Sequence, residues 1–237
     1  MREAFGRLKY PRLRILYENY LDLQTLRIAL NNRVILYGKF NMLTPSQHLT
    51  LSRIVKDLER KEKEVAELLK EEVELVPVWN HWLSKVKGIG PVMGAGVITW
   101  IDDISRFPTV SKLWAYAVGK PGERREKNKK VHYNPKLKTL CWKIGMQFLK
   151  ARGGYAELYR GFKAGYERRE DLKKVEKGSY KVRIHLMALR KTVKIFLQHL
   201  WVRWRELEGL PVTRPYAIDR LGHTSYIPPI EDKEVSS

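Results

Sequence analysis

The organisation of this chain follows from one glycine-rich stretch, Val86-Lys87-Gly88-Ile89-Gly90-Pro91-Val92-Met93-Gly94-Ala95-Gly96. Gly88 and Gly90 have no Cβ, so the backbone can turn tightly there and bring its N–H groups close to an anion. Pro91 suits the first turn of a helix, whose N-terminal end carries a partial positive charge. The stretch therefore predicts the turn of a helix–hairpin–helix that binds nucleic-acid backbone. The alternative is a plain glycine-capped connection between two helices.

Before this turn, the spacing of apolar residues predicts two long helices. Between residues 10 and 76, apolar side chains recur at alternating intervals of three and four, in two runs. Such heptad-like seams are typical of a coiled coil or a helical hairpin. Arg27 interrupts the first seam, and Glu62 and Glu72 interrupt the second. Thr44-Pro45 and Ser46 are the expected cap of the second helix. The helices can pair within one chain or between two, and we expect a homodimer because such an arm has little core of its own.

After the turn, the sequence continues with helical patterns and has no recognisable strand. The predicted helices are Val92–Ile101, Val110–Val118, Pro135–Lys150, Tyr155–Leu172 and Tyr180–Leu207, and a shorter one, Pro77–Val86, precedes the turn. We therefore predict an all-α fold with three parts. A coiled-coil-like helical arm (residues 1–76) is followed by a basic helical bundle that contains the helix–hairpin–helix (77–208) and by an extended C-terminal tail (209–237).

The charge of the chain is strongly positive and unevenly distributed. The 237 residues have a formal net charge of +20, and the segment Lys112–Arg205 alone contains 26 Lys and Arg against 7 Asp and Glu. Such a charge indicates a polyanionic partner. Nucleic acid is the favoured partner, double-stranded DNA ahead of RNA, and an acidic membrane surface is the next candidate. The high Lys, Glu and Arg content also suits a thermophile.

The sequence points to a protein of the cytoplasm. The single cysteine, Cys141, lies in an apolar helical pattern and has no partner for an internal disulfide, which fits a reducing compartment. No run of about 18 apolar residues is present, so no membrane span is expected. The N-terminus lacks the apolar core of a signal peptide.

The residues expected to contact nucleic acid fall in four places: the turn, a lysine of a later helix, a basic loop and two cations of another helix. They are Lys87, Gly88, Ile89, Gly90, Val92, Lys112, Arg124, Arg125, Lys127, Lys129, Lys130, Arg160 and Lys163. The backbone of the turn would bind phosphate without reading sequence, and the cations would make binding sensitive to salt. Tyr155, Tyr159 and Tyr166 lie among cations and either stack on single-stranded bases or pack in the core, with packing favoured.

No catalytic residue, metal site or cofactor site is predicted. The six histidines are spread along the chain, without a second ligand at metal-binding spacing. Asp102 and Asp103 are adjacent, so on a helix they point in different directions, and a capping or salt-bridge role is expected. The sequence also lacks the glycine-rich patterns of phosphate-binding and dinucleotide-binding loops.

Three segments in the middle of the chain, Lys87–Val92, Trp100–Thr109 and Lys112–Pro121, keep the order and spacing of a known family. They resemble the glycine hairpin, the Asp-Ile-x-Arg-Phe turn and the Ala-Tyr-Ala-Gly-x-x-Pro segment in the C-terminal domain of the insertion-sequence one-ten transposases. These are DEDD-type enzymes associated with bridge-RNA-guided recombination. Asn134 is similar to the start of the family's next helix, and coiled-coil helices before the hairpin are also a family feature. The resemblance implies a DNA-handling domain of mobile-element origin.

The chain departs from that family at both catalytic centres. The family has an N-terminal RuvC-like nuclease domain with metal-binding carboxylates, whereas this sequence begins at the arm helices. The family's nucleophilic serine has no counterpart, because Gly122–Tyr133 contains no Ser, Thr or Cys. We therefore expect a non-catalytic nucleic-acid-binding protein. The alternatives are a transposase or recombinase subunit with a catalytic partner in trans, and a scaffold that binds RNA, an acidic protein or a membrane.

Overall fold

The computed structural model describes residues 8–119, 131–173, 180–213 and 227–232. Every regular element within these ranges is helical and no strand occurs in them, so the predicted all-α fold is confirmed. The α-helices in chain order are α1 (Pro11–Lys39), α2 (Pro45–Glu74), α3 (Pro77–His81), α4 (Pro91–Ile101), α5 (Val110–Val118), α6 (Pro135–Ala151), α7 (Gly154–Glu167), α8 (Glu170–Lys173) and α9 (Tyr180–Leu207). Short 3₁₀ helices lie at Leu83–Lys85 and Ile104–Arg106.

The helices α1 and α2 pack against each other within one chain and form the arm. Thr44 caps α2 as its sequence context predicts. The Thr44 hydroxyl accepts the backbone N–H of Gln47 at 3.3 Å, and the Gln47 side-chain oxygen accepts the N–H of Thr44 at 2.9 Å. This reciprocal capping box satisfies two N–H groups that the helix itself leaves unpaired, and it fixes where α2 begins.

Two of the three charges that interrupt the apolar seams, Arg27 and Glu62, face each other. Arg27 Nε donates to the Glu62 carboxylate, and Gln24 Nε2 donates to the same carboxylate at 2.9 Å. Glu62 is only 7% exposed. Burial raises the pKa of Glu62, but the hydrogen bonds from Arg27 and Gln24 outweigh burial, so its pKa lies below the usual value. The pair therefore favours one register of α1 against α2, as a polar contact does in a coiled coil.

Several large apolar side chains are exposed on the arm, among its surface charges. They are Ile15, Leu26, Ile28, Ile35, Leu36, Tyr37, Phe40, Met42, Leu49, Ile54 and Leu68. Large exposed apolar surfaces are typical of protein interfaces. The homodimer expected through these helices stays a prediction, and these exposed apolar side chains favour it.

The arm joins the bundle where α1 crosses α4. A Cβ at Gly96 would lie 2.4 Å from the Tyr17 hydroxyl oxygen, so the crossing requires glycine. The rings of Tyr17 and Trp100 meet edge to face, with centroids 5.9 Å apart. This glycine of the opening stretch therefore serves helix packing, whereas the glycines before Pro91 form the turn.

The core of the bundle is built around α9, which contacts α5, α6 and α7. Phe196, Trp201 and Trp204 of α9 are fully buried. The Trp201 indole N–H donates to the carbonyl oxygen of Phe107 at 2.7 Å and so ties α9 to the loop before α5. Within the described residues, no helix is long and apolar enough to cross a membrane.

Two predicted helices are shorter in the structure. The helix predicted over Pro77–Val86 ends at His81 and continues as a 3₁₀ turn. The helix predicted over Tyr155–Leu172 breaks after Glu167, and α8 begins at Glu170. The acidic residues in the first turn of α8 stabilise a new helix N-terminus, which explains the break.

Candidate nucleic-acid interface

The glycine turn, Val86–Gly90, connects the first 3₁₀ helix to α4. Gly88 has a φ of +98°, a conformation that residues with a side chain rarely adopt. The N–H of Ile89 donates to the carbonyl oxygen of Val86 at 3.1 Å and closes the turn. The Ile89 side chain is buried, whereas Lys87 and Gly90 are exposed. The turn is thus anchored by an apolar side chain and presents backbone to solvent.

The glycine turn packs on the C-terminal end of α6. A Cβ at Gly88 would lie 3.0 Å from the Cβ of Ala151 and 3.5 Å from Cδ1 of Phe148, so space as well as conformation requires glycine. Gly90 is different, because its backbone is extended at φ −95° and ψ 171°. Among the described residues, no atom beyond Gly90 and its two chain neighbours lies within 4 Å of a Cβ built at Gly90. This position leaves the N-terminal end of α4 open to a ligand.

The N-terminal end of α4 has N–H groups that the helix does not use. In the described part of the chain, no side chain caps this end. The helix's own bonding starts with Gly94, whose N–H donates to the carbonyl oxygen of Gly90 at 2.9 Å. The N–H groups of Val92 and Met93 lie in the first turn, before that bond. The Val92 side chain packs against the core, so only its backbone is available to a ligand.

The N-terminal end of α7 lies beside the glycine turn. Arg152 ends α6 in the left-handed conformation, with a φ of +55°, and the chain then turns into α7. A Cβ at Gly153 would lie 3.0 Å from the Cβ of Lys87, which shows how closely the two turns approach. The side chains of Arg152 and Lys87 are both exposed. Two helix N-termini and two cations therefore share one region of the surface.

A carboxylate from the C-terminal part of the chain bridges the two turns. One oxygen of Asp232 accepts the backbone N–H of Lys87 at 3.1 Å, and the other accepts the N–H of Gly154 at 2.6 Å. A Cβ at Gly153 would lie 3.0 Å from the oxygen that bonds to Lys87, so a larger residue at position 153 would crowd the carboxylate. The two turns together form a binding site for an anion.

We call the segment that carries this carboxylate, Ile227–Asp232, the C-terminal strap. Its carbonyl oxygens at Ile227 and Ile230 accept the ring N–H groups of His199 (2.9 Å) and Trp82 (3.2 Å). The other ring nitrogen of His199 accepts the hydroxyl of the buried Tyr155 at 2.7 Å. Burial lowers the pKa of His199 to about 4, so its ring is neutral at pH 7 and keeps this arrangement.

The strap also forms ion pairs with two cations, of which Arg203 pairs with Glu206 on α9 as well, at 3.3 Å. The Glu231 carboxylate lies 3.6 Å from Lys85 Nζ and 3.4 Å from a guanidinium nitrogen of Arg203. Lys85 comes from the 3₁₀ helix before the turn, and Arg203 from the last part of α9. Strap, turn and α9 therefore meet at one charged cluster.

The residues predicted to contact nucleic acid are only partly brought together. Arg160 and Lys163 follow along α7 from its N-terminal end, and Lys163 lies 3.8 Å from Glu167. Lys112 is exposed on α5. On the same helix, the carbonyl oxygen of Tyr116 accepts the N–H of Asn134, which lies at the end of α6 opposite to the glycine turn. The predicted basic-loop residues, Arg124, Arg125, Lys127, Lys129 and Lys130, lie outside the described residues.

Two of the three tyrosines considered for base stacking belong to the core. Tyr155 is 1% exposed, and Tyr159 is buried with its hydroxyl 2.6 Å from Nδ1 of His185. The stacking interpretation is therefore wrong for both, and the favoured interpretation as packing is confirmed for them. Cys141 is buried too, and burial raises its pKa to about 12, so the thiol is not reactive. In the described ranges, no three His, Cys, Asp or Glu side chains are placed to hold a metal ion.

Sequence reasoning missed Asp232, Gly154 and Arg152 at this site. A weak signal for the site exists in the Gly153–Gly154 pair, which leaves a helix N-terminus without a capping side chain. The other weak signal is an acidic pair, Glu231 and Asp232, near the end of a very basic chain. Neither signal indicates that the two pairs meet.

Comparison with known proteins relates the middle of the chain to transposases. The sequence model of the transposase IS116/IS110/IS902 family matches residues 80–159. This match covers about a third of the chain and includes the glycine turn, α4, α5, α6 and the first part of α7. No curated protein matches the chain significantly.

Proposed function

We propose that this protein binds duplex DNA through the glycine turn and the N-terminal end of α7, without catalysing a reaction. The proposal rests on the position of the turn, which is exposed, lies beside a second helix N-terminus and falls within the match to the transposase family. Helix N-termini and glycine turns bind phosphate through backbone N–H groups. Such contacts position a protein on DNA of any sequence.

The distribution of cations supports a nucleic-acid partner with an extended backbone. Lys87 and Arg152 flank the turn, and Lys112 lies near the other end of α6. A helix of 17 residues is about 25 Å long, the length of about seven base pairs. A duplex that runs along α6 can therefore contact both ends. In this proposal the arm holds two chains together as a homodimer.

The absence of catalysis is the second part of the proposal. Its support is the segment Gly122–Tyr133, which has no Ser, Thr or Cys where the transposases resembled by this chain have their nucleophile. The match to a transposase family favours a second candidate: a transposase or recombinase subunit that acts with a catalytic partner in trans. A strand-transfer assay with a divalent metal distinguishes the two, since activity lost on a single substitution would overturn the non-catalytic proposal.

The test is the affinity for a short labelled duplex, measured by fluorescence anisotropy between about 50 and 200 mM salt. Lys87→Glu at the glycine turn is compared with Lys70→Glu, which makes the same charge change at an exposed position of α2. We expect Lys87→Glu to weaken binding about tenfold and to reduce the slope of log K against log salt by about 0.9, one phosphate contact. Lys70→Glu should remain close to the wild type.

Three other outcomes of this test would change the proposed contact site or the proposed partner. Equal binding by the two variants would mean that the turn is not a contact site. Binding to single-stranded or structured RNA in preference to the duplex would make RNA the partner. Salt-sensitive binding to vesicles of anionic lipid, without binding to duplex DNA, would favour the scaffold described among the alternatives.

A further inference from the structure

The two N–H groups that hold Asp232 are donors of the kind that a DNA phosphate needs. They come from two separate turns, at Lys87 and Gly154, and converge on two oxygens of one anionic group. We propose that the Asp232 carboxylate occupies a phosphate site of the DNA interface, and that the C-terminal strap is a built-in competitor of DNA. This inference rests on the proposed function and identifies where on the surface it is regulated.

The geometry goes beyond an ordinary helix cap. A carboxylate that only capped α7 would need the N–H of Gly154 and nothing more. Here the other oxygen of Asp232 accepts the N–H of Lys87 in the glycine turn, 145 residues away in sequence. Gly153 leaves room for the anion, because a Cβ there would lie 3.0 Å from that oxygen. The site therefore suits a group with at least two acceptor oxygens, which phosphate shares with carboxylate.

The neighbouring residue of the strap, Glu231, forms ion pairs with cationic side chains that a DNA phosphate could also bind. Glu231 pairs with Lys85 and with Arg203, and Arg203 also pairs with Glu206 of its own helix, so Lys85 is the cation that depends on Glu231 among the ion pairs described. The side chains of Lys85, Glu231 and Arg203 are between 26% and 39% exposed. Water therefore reaches these ion pairs, which makes them weak and reversible. Asp232 thus occupies backbone donors and Glu231 occupies side-chain cations on the same part of the surface.

A docked strap blocks the phosphate site. The apparent affinity for DNA is therefore the affinity of the open form multiplied by the fraction of molecules that are open. If about nine molecules in ten are closed, the apparent Kd is about tenfold higher than that of the open form. Neutralising the two strap acids should recover this factor. The site is then free for one more phosphate, so binding should also become more sensitive to salt.

The experiment uses the full chain and two variants with the same change in net charge. The strap variant is Glu231→Gln with Asp232→Ala, which leaves no acceptor oxygen on the side chain of residue 232. The control is Glu67→Gln with Glu71→Ala, both exposed on α2. We expect the strap variant to bind the labelled duplex about tenfold more tightly than the control, with a salt slope steeper by about 0.9. Circular dichroism establishes that all chains are folded.

A second measurement locates the effect on the site. Inorganic phosphate is titrated against the strap variant and the wild type, and the amide resonances of Lys87 and Gly154 are followed by NMR. We expect both resonances to move in the strap variant at phosphate concentrations that leave the wild type unchanged. Adding Gly153→Ala to the strap variant should reduce the gain in DNA affinity, because its Cβ would lie 3.0 Å from the oxygen position and crowd an anion there.

The inference and the proposed function fail in different ways. If the strap variant binds no more tightly than its control while Lys87→Glu still weakens binding, the strap is a structural tie and the inference is overturned, but the proposed function stands. If wild type, control and strap variant all fail to bind duplex DNA, the proposed function is overturned and the inference with it.

Discussion

Gly90 offers a substitution whose effects on stability and on DNA binding have opposite signs. It is the N-cap of α4 and has an extended backbone that any residue can adopt. Asp is among the best N-cap residues, better than Gly by a few tenths of a kcal/mol. A negative charge at a helix N-terminus adds about 0.3–1 kcal/mol. Gly90→Asp should therefore raise the free energy of unfolding by about 0.5–1 kcal/mol.

The same carboxylate should weaken DNA binding. As an N-cap it accepts N–H groups of the first turn of α4, at Val92 or Met93, which are the groups proposed to bind phosphate. It also places a negative charge next to the DNA backbone. Losing one charged hydrogen bond costs about 1.5–3 kcal/mol, which corresponds to roughly tenfold to a hundredfold in affinity at low salt.

Gly90→Ala is the matched control. Space for its Cβ is open in the described structure, and alanine adds no charge and caps poorly. It should lose up to about 1 kcal/mol in stability, because alanine is a poorer N-cap than glycine, and keep its affinity for DNA. Urea unfolding followed by circular dichroism and anisotropy with a labelled duplex measure the two quantities. If Gly90→Asp binds DNA as tightly as Gly90→Ala at low salt, the N-terminal end of α4 is not part of the interface.

Other predictions concern the folded state. Gly88→Ala should cost at least about 2 kcal/mol in a thermal or urea melt, because its φ is +98° and its Cβ would meet Ala151, and a neutral effect would contradict the close packing of the turn. His199 has its pKa lowered from 6.5 to about 4, so the unfolded chain binds a proton that the folded chain does not. Stability should therefore fall as the pH drops from 6.5 toward 4 and be about 2 kcal/mol lower at pH 5 than at pH 7.5, and a flat urea-unfolding profile over this range would refute the assignment. Arg27→Met should destabilise the arm by about 1–3 kcal/mol because it leaves Glu62 buried without its cation, and adding Glu62→Gln should recover part of this loss in a double-mutant cycle.

The helices were predictable because their signals are local. The bounds of α9, Tyr180–Leu207, agree with its apolar stripe, and Asn134 caps α6 by accepting two N–H groups at 3.0 and 3.1 Å. Arg27 and Glu62 stood out as charges in apolar seams, but their pairing depended on the register of the two helices. Tyr155 lies among cations in the sequence, yet the structure buries it, because neighbours in sequence on a helix point to different sides.

The sequence by itself determined that the fold is all-α, that two long helices precede a glycine turn, and where most helices begin and end. Those properties follow from apolar periodicity and from caps, which act over a few residues. Only the tertiary structure decided that the N–H groups of Lys87 and Gly154 meet at Asp232, across separations of 145 and 78 residues. Backbone N–H groups are the same at nearly every residue, so their convergence leaves no pattern in the sequence. It arises from the packing of the strap and of α6 and α7 against the turn.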